Sequence, residues 1–131
     1  MRRLRSDYAA LVQEGIVFEA RNVLITQRSR RFSGPTRVAV RRMRTSPGRF
    51  VVTRSRIYAH GWLSLIVNAP CDRTNIDLFS FTREGRKITV AIPDVRLVLG
   101  PRYSGDLSIT LRTNHAEQLM SYFESLGGTP R

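Results

Sequence analysis

Two histidines, one cysteine and a few dispersed aspartates are the side chains that catalysis or metal binding would use first. Neither His60 nor His115 stands at ligand spacing from a second histidine or from Cys71, as a metal site would require. Cys71 follows a proline, and the sequence indicates no base that would activate its thiol. The motifs of serine hydrolases, phosphate-binding loops and zinc proteases do not occur. We therefore expect no catalysis, no metal and no cofactor.

The stretch from Ser29 to Arg56 offers a second kind of chemistry, which is the binding of anions. It contains nine arginines and no carboxylate, so its positive charge is not neutralised locally. Guanidinium groups form paired hydrogen bonds with phosphates and carboxylates, and clustered ones attract anions from a distance. We predict an anion-binding face made of Arg30, Arg31, Arg37, Arg41, Arg42, Arg44, Arg49, Arg54 and Arg56.

The distribution of charge along the chain favours this prediction. The net charge is +12, and 21 of the 22 basic residues are arginine, a preference that a GC-rich genome would also produce. Residues 1–65 have a net charge of +11, whereas residues 66–131 have a net charge of +1. The alternative is a solvated arginine face, partly paired with acids of other strands such as Asp72, Asp77 and Glu84.

Nucleic acid is a second candidate partner, because arginine binds phosphates and stacks on bases. The segment "GRFVVTR" (48–54) resembles part of an RNA-recognition strand but lacks the second glycine and the second aromatic. Phe50 and Trp62 are more typical of a buried core. Arg37 and Arg41 have the R-x-x-x-R spacing of PilZ-type cyclic-dinucleotide receptors, but the companion motif does not follow.

A third alternative is a protein-interaction module without an anionic ligand. Its helix and strand edges would bind a partner or a second copy of the chain, so homo-oligomerisation stays open. Arginines on an edge strand would then serve only to prevent unwanted strand pairing.

Composition limits the cellular setting. With 131 residues the chain can bury a sufficient core without disulfides or metals. A single cysteine is typical of a reducing compartment, and no apolar run approaches the length of a membrane span. The basic start is followed by too short an apolar part for a signal peptide. We expect a cytoplasmic protein, peripheral to a membrane if the anion is a headgroup.

The hydrophobic pattern predicts one α+β domain over residues 1–131. We expect a short helix over 7–14, antiparallel strands over 16–112 and an amphipathic helix over 115–126. Tight turns between the strands exclude parallel neighbours, which need long crossovers. The fold class is a bent antiparallel sheet or small barrel that the C-terminal helix caps.

Residue types and charge spacing also predict local features of the strands. "TSPG" (45–48) predicts a turn, Arg41–Arg42 a β-bulge and Asn22 a break in the first strand. "VRLVL" (95–99) is read as a strand. His60 is expected on an exposed strand face.

Two segments resemble the pleckstrin-homology-like superfamily, especially its bacterial and GRAM-type members. "GRFVVTRSRIYAHG" (48–61) is similar to the family's glycine, apolar strand, threonine, arginine and second strand. "SGDLSITLRTNHAEQLMSYFESL" (104–126) is similar to its last strand and capping helix. The resemblance implies a rigid scaffold that binds lipid headgroups, peptides or proteins without catalysis.

The resemblance also ranks the arginines. Many lipid-binding members clamp a phosphate with a basic-x-basic pair, and Arg42 with Arg44, and Arg54 with Arg56, have that spacing. Residues i and i+2 share a face on a strand, so each pair would hold one phosphate. These four are the first candidates and the other five are the second rank. The partner so implied is an anionic membrane surface or an acidic protein surface.

Overall fold

Seven antiparallel strands form one curled sheet, a half-barrel, in a computed structural model that describes residues 2–34, 37–61 and 65–127. Side chains are described except those of residues 2–5, 30–34 and 37–42. The predicted fold class is confirmed, since the sheet is followed by a C-terminal helix. The elements are α1 (Arg2–Glu14), β1 (Ile16–Gly34), β2 (Arg37–Thr53), β3 (Arg56–Gly61), β4 (Leu65–Pro70), a 3-10 turn (Ile76–Leu78), β5 (Ser80–Glu84), β6 (Lys87–Ile92), α2 (Val95–Leu99), β7 (Ser104–Arg112) and α3 (Ala116–Ser125).

The strand order is β4-β3-β2-β1-β7-β6-β5, so two meanders meet where the first strand pairs with the last. In that seam Ile25 lies opposite Leu111 and Thr26 lies opposite Thr110. The pairing brings the arginine-rich start of the chain beside strands from its nearly neutral second half.

The core lies on the concave side of the sheet. Ile88, Val90 and Ile92 alternate inward along β6, as their period of two predicts. Helix α3 closes this side, and the ring of Phe123 stacks on Phe81 of β5 with centroids 4.1 Å apart. The apolar stripe of the last helix therefore packs against the sheet.

Helix α1 covers the opposite side of β2 and β3. Leu11 packs with Val51 and Tyr58 in a second small cluster, and the hydroxyl of Tyr58 donates to Asp7 Oδ2 at 2.8 Å. Strand β3 is consequently buried on both faces. The expectation of an exposed His60 is wrong, since only 3% of its surface is accessible and it stacks beside Tyr58.

Two local predictions are wrong, for different reasons. Residues 45–48 do not turn, since β2 continues through them opposite β1, with Pro47 facing Leu24. Residues 95–99 form α2 instead of a strand, because Asp94 caps the Arg96 N–H and Gly100, at φ 117, ends the helix.

The irregularity predicted in the early strands lies on β1 and not on β2. Arg41 and Arg42 pair in unbroken register with Arg30 and Ser29, so no bulge interrupts them. The register shifts instead between Ala20 and Val23, and Asn22 between them takes φ 55. Asn22 therefore marks a register shift and not the predicted break, since β1 runs through it, and asparagine tolerates this left-handed conformation better than most residues.

Candidate anion-binding surface

A long hairpin positions most of the predicted arginines. We call residues 28–34 of β1 and 37–44 of β2 the arginine arm. Strand β3 pairs with β2 only over Gly48–Val52, so in the described part of the chain β2 from Arg37 to Pro47 has β1 as its sole neighbour. Among the described residues no strand pairs with the other edge of β2 from Arg37 to Pro47, and we call this stretch the open β2 edge. No acidic residue occurs anywhere between positions 20 and 71.

The described backbone pairing places three arginines of β2 within the arm. Arg41 lies opposite Arg30, Arg42 opposite Ser29 and Arg44 opposite Gln27. Arg42 and Arg44 are two residues apart on one strand, as the pairing argument requires, and the Arg44 side chain is exposed. The side chains of Arg30, Arg31, Arg37, Arg41 and Arg42 lie outside the description.

Arg54 and Arg56 do not form a strand pair. Arg54 and Ser55 occupy the bend between β2 and β3, so only Arg56 belongs to a strand. Arg54 is exposed, whereas Arg56 is half-buried and its Nε lies 3.1 Å from Glu14 Oε2. Arg56 also donates to the side-chain oxygen of Asn68. This arginine holds α1 to the sheet.

Arg49 also has an acidic neighbour within the fold. Its Nε lies 3.7 Å from Glu19 Oε2, and its guanidinium carbon lies 5.0 Å from the ring centroid of Tyr8. Arg21 reaches the same carboxylate at 3.0 Å. Arg49 is therefore paired with Glu19 and Arg56 with Glu14, two partners that the sequence did not suggest.

A second polar surface lies on the convex face where the two meanders meet. Five neighbouring strands each contribute one threonine to a row in register. In the order β2, β1, β7, β6 and β5 these are Thr45, Thr26, Thr110, Thr89 and Thr82. The hydroxyls of Thr26 and Thr45 lie 3.0 Å apart, and those of Thr89 and Thr110 lie 2.9 Å apart. The row is a ladder of cross-strand pairs open to solvent.

Three cations flank this row around a depression of about 640 Å³, which we call the outer groove. Arg28 lies on one side of the threonines, opposite Ser108, while Lys87 and Arg112 face each other on the other side. None of the described lining residues is acidic. The nearest described carboxylate contact is a loose one, between Lys87 Nζ and Glu84 Oε2 at 3.9 Å.

Sequence reasoning did not single out the outer groove. The sequence indicates it only weakly, through the alternating polar residues of two strands, Lys87-x-Thr89 in β6 and Ser108-x-Thr110-x-Arg112 in β7. This alternation predicts which side chains of β6 and β7 face outward, but it does not predict which strand lies beside β7. Only the β1–β7 pairing sets Arg28 beside these residues.

A second depression of about 470 Å³ adjoins the outer groove and shares Val23 and Arg112 with it. Its remaining cations are Arg21 and Arg86, and Arg86 donates to the side chain of Asn114 at 3.1 Å. The positive surface thus continues along the β1 bulge towards the start of α3.

Cys71 and the two histidines, the side chains that catalysis would use first, lie in three different environments. Burial, with a smaller contribution from Asp72, raises the pKa of the Cys71 thiol to about 12, so it is protonated at neutral pH. Nδ1 of His60 lies 2.6 Å from its neighbour's carbonyl at Gly61, and His115 is exposed and hydrogen-bonded to Gln118. Across the described residues, no hydrogen bond joins any two of these three groups.

Two of the dispersed aspartates serve the backbone. Asp72 accepts the N–H of Thr74 at 2.8 Å, and bonds from Thr74 outweigh the small cost of desolvation and hold its pKa below the ordinary value. Asp94 caps α2. Within the described ranges no three histidine, cysteine or acidic side chains cluster as metal ligands would.

Comparison with models of protein families and with curated proteins finds no match for this chain. The helices of the described residues include none that is long and apolar enough to cross a bilayer.

Proposed function

We propose that this protein is a non-catalytic binding domain that docks an anionic surface through the arginine arm, with an anionic membrane as the first candidate. The observation that supports the proposal most directly is the open β2 edge from Arg37 to Pro47, in a region with no acidic residue between positions 20 and 71. An extended hairpin suits a broad surface better than a small ligand.

The distribution of acidic neighbours among the arginines favours this proposal over a face that is only solvated. Arg49 and Arg56 have acidic neighbours, so the fold neutralises arginines that it uses to hold its parts together. The arm differs in its backbone pairing, in which the one acidic residue opposite a described position of the arm is Asp106, opposite Arg30. Like charges along one hairpin repel each other, and an anionic partner would relieve that repulsion. Each arginine that reaches an anionic bilayer would add about 1 kcal/mol of attraction.

The site assignment within the nine arginines follows from the same geometry. Arg42 and Arg44, with Arg30, Arg31, Arg37 and Arg41, belong to the arm. Arg54 lies in the β2–β3 bend, and Arg49 and Arg56 act within the fold. We therefore assign the docking role to these six arginines; the seventh arginine of the arm, Arg28, borders the outer groove. The resemblance to pleckstrin-homology-like proteins agrees with this reading and remains part of the proposal.

The test is sedimentation with vesicles of phosphatidylcholine alone or with a third of phosphatidylserine, at two salt concentrations. We expect binding only to the anionic vesicles and a loss of binding as salt rises, because screening weakens exposed charge attraction. The double variant Arg42→Glu with Arg44→Glu should abolish it. A mobility-shift assay with mixed RNA and DNA runs in parallel.

The matched control is Arg73→Glu with Arg102→Glu. Both residues are exposed and lie outside the arm, and the net charge falls by the same amount. Equal losses in the two double variants would assign the binding to overall charge and overturn the role of the arm. A selective mobility shift without vesicle binding would favour nucleic acid over a membrane.

The open β2 edge also supports a second candidate, docking of another protein by strand addition. In that case main-chain hydrogen bonds would supply the affinity, and salt would change it little. Proline at position 47 would then interrupt the new ladder within the open stretch, since Pro47 has no N–H to donate.

A further inference from the structure

We infer that the outer groove is a separate site for a small phosphorylated carbohydrate, with Arg28 at one end and Lys87 and Arg112 at the other. The two ends are set apart by strand geometry. Ser108, opposite Arg28, and Arg112 are four residues apart on β7, which corresponds to about 13 Å between their Cα atoms.

The charges of the groove are available to a ligand. Apart from the loose Lys87–Glu84 contact, no salt bridge within the described part of the chain engages these three cations. Arg28 and Arg112 are exposed, and Lys87 is half-buried. Positive groups at both ends suit a molecule with two phosphates better than one with a single charge.

The floor between the charges suits hydroxyl groups. Thr26 with Thr45, and Thr89 with Thr110, each use one hydroxyl proton within the pair and leave the second proton and several lone pairs for a ligand. Because Thr26 and Thr110 face each other across the seam, the two pairs lie side by side. A sugar ring supplies both donors and acceptors to such a floor, whereas a bare phosphate supplies only acceptors.

The dimensions agree with this ligand class. A volume of about 640 Å³ falls in the range of sites for small organic molecules. Leu24 is the exposed apolar residue of the lining, and it stands two residues before Thr26 on the same face of β1, where it can contact the carbon face of a sugar. A single nucleic-acid strand would instead stack its bases on exposed aromatic rings, and no described lining residue is aromatic.

Fructose 1,6-bisphosphate is the probe, and binding is measured by calorimetry and by shifts of backbone amide resonances. We expect the amides of Thr26, Arg28, Thr110 and Arg112 to shift and the affinity to exceed that for pyrophosphate at least tenfold. Fructose alone should not bind. Lys87→Gln with Arg112→Gln should weaken the bisphosphate at least tenfold, and Thr110→Val by roughly three- to tenfold, the worth of one hydrogen bond.

Arg73→Gln with Arg102→Gln, which removes the same charge elsewhere, should leave the affinity within about twofold. Arg42→Glu with Arg44→Glu should also leave the affinity for the bisphosphate unchanged. The groove and the arm are therefore tested independently of each other. Two results would overturn it, namely equal affinity for pyrophosphate and the bisphosphate, or no bisphosphate binding at millimolar concentration. Thermal unfolding of each variant distinguishes lost binding from lost structure.

Discussion

Glu14, the last residue of α1, accepts a hydrogen bond from Arg56 Nε at 3.1 Å, and it also receives the hydroxyls of Thr53 and Ser55 at 2.9 and 3.1 Å. One carboxylate thereby joins the N-terminal helix to the bend between β2 and β3. This relationship removes Arg56 from the set of arginines that a partner can use and gives it a structural role.

Glu14→Gln should lower the free energy of unfolding by about 1–2 kcal/mol, because a half-buried arginine then loses its charged acceptor. Urea unfolding at pH 7 measures the loss. Partial burial raises the pKa of Glu14, but the bonds from Thr53 and Ser55 and the charge of Arg56 outweigh it, so its pKa lies below the ordinary value.

The pH dependence of that difference has a definite sign. A carboxyl whose pKa is depressed in the folded state stabilises the fold fully above its unfolded pKa, and the contribution disappears as pH falls through the folded pKa. The advantage of the native protein over Glu14→Gln should therefore be constant from pH 6 to 8 and shrink below about pH 4. A difference that grows as pH falls would contradict the assigned role.

Gly48→Ala should destabilise the protein by about 1–3 kcal/mol through overpacking. A Cβ at Gly48 would overlap the carbonyl oxygen of His60 on the paired strand, and backbone cannot move aside cheaply. Gly85→Asn is the control, since Gly85 has φ 63, which asparagine tolerates, and open space around it. Thermal unfolding of both variants provides the comparison, and equal melting temperatures would refute the close approach of β2 and β3.

Phe123→Ala should lower the free energy of unfolding by about 3–5 kcal/mol, because a fully buried ring stacked on Phe81 is replaced by a cavity. Ser121→Ala, on the exposed side of α3, should change it by less than about 0.5 kcal/mol. Denaturant titrations of the two variants test whether α3 is part of the core. Similar midpoints would mean that the helix contributes little to it.

The Cys71 thiol should resist an aromatic disulfide reagent at pH 8 in the native protein. Only about one part in ten thousand is thiolate at that pH when the pKa is about 12. In denaturant the same thiol should react at the rate of an ordinary cysteine. Rapid reaction of the folded protein, at a rate independent of added denaturant, would show that the thiol is not buried.

The two arginine pairs differ in whether alternation along a strand predicts their geometry. Alternation of period two places Arg42 and Arg44 on one face of β2, and β2 does run through both residues. The same rule fails for Arg54 and Arg56 because the chain bends between them. The failure was not visible locally, since "VVTRSRIY" has no glycine or proline to announce a turn.

The sequence by itself determined the local features whose causes are local. These are the alternation along β6 and β7, the apolar stripe of α3, the irregularity at Asn22 and the excess of positive charge in the first half of the chain. Each depends on residue type and on spacing within one element, so no distant contact is needed to predict it.

Tertiary structure alone decided which elements became neighbours. It set α1 over Tyr58, gave Arg56 the carboxylate of Glu14 and placed Arg28 across the seam from the strand of Arg112, 84 positions later in the chain. The physical reason is that strand pairing is chosen by the burial of the whole sheet. A strand's own pattern says which side chains face outward but not which strand will lie beside them.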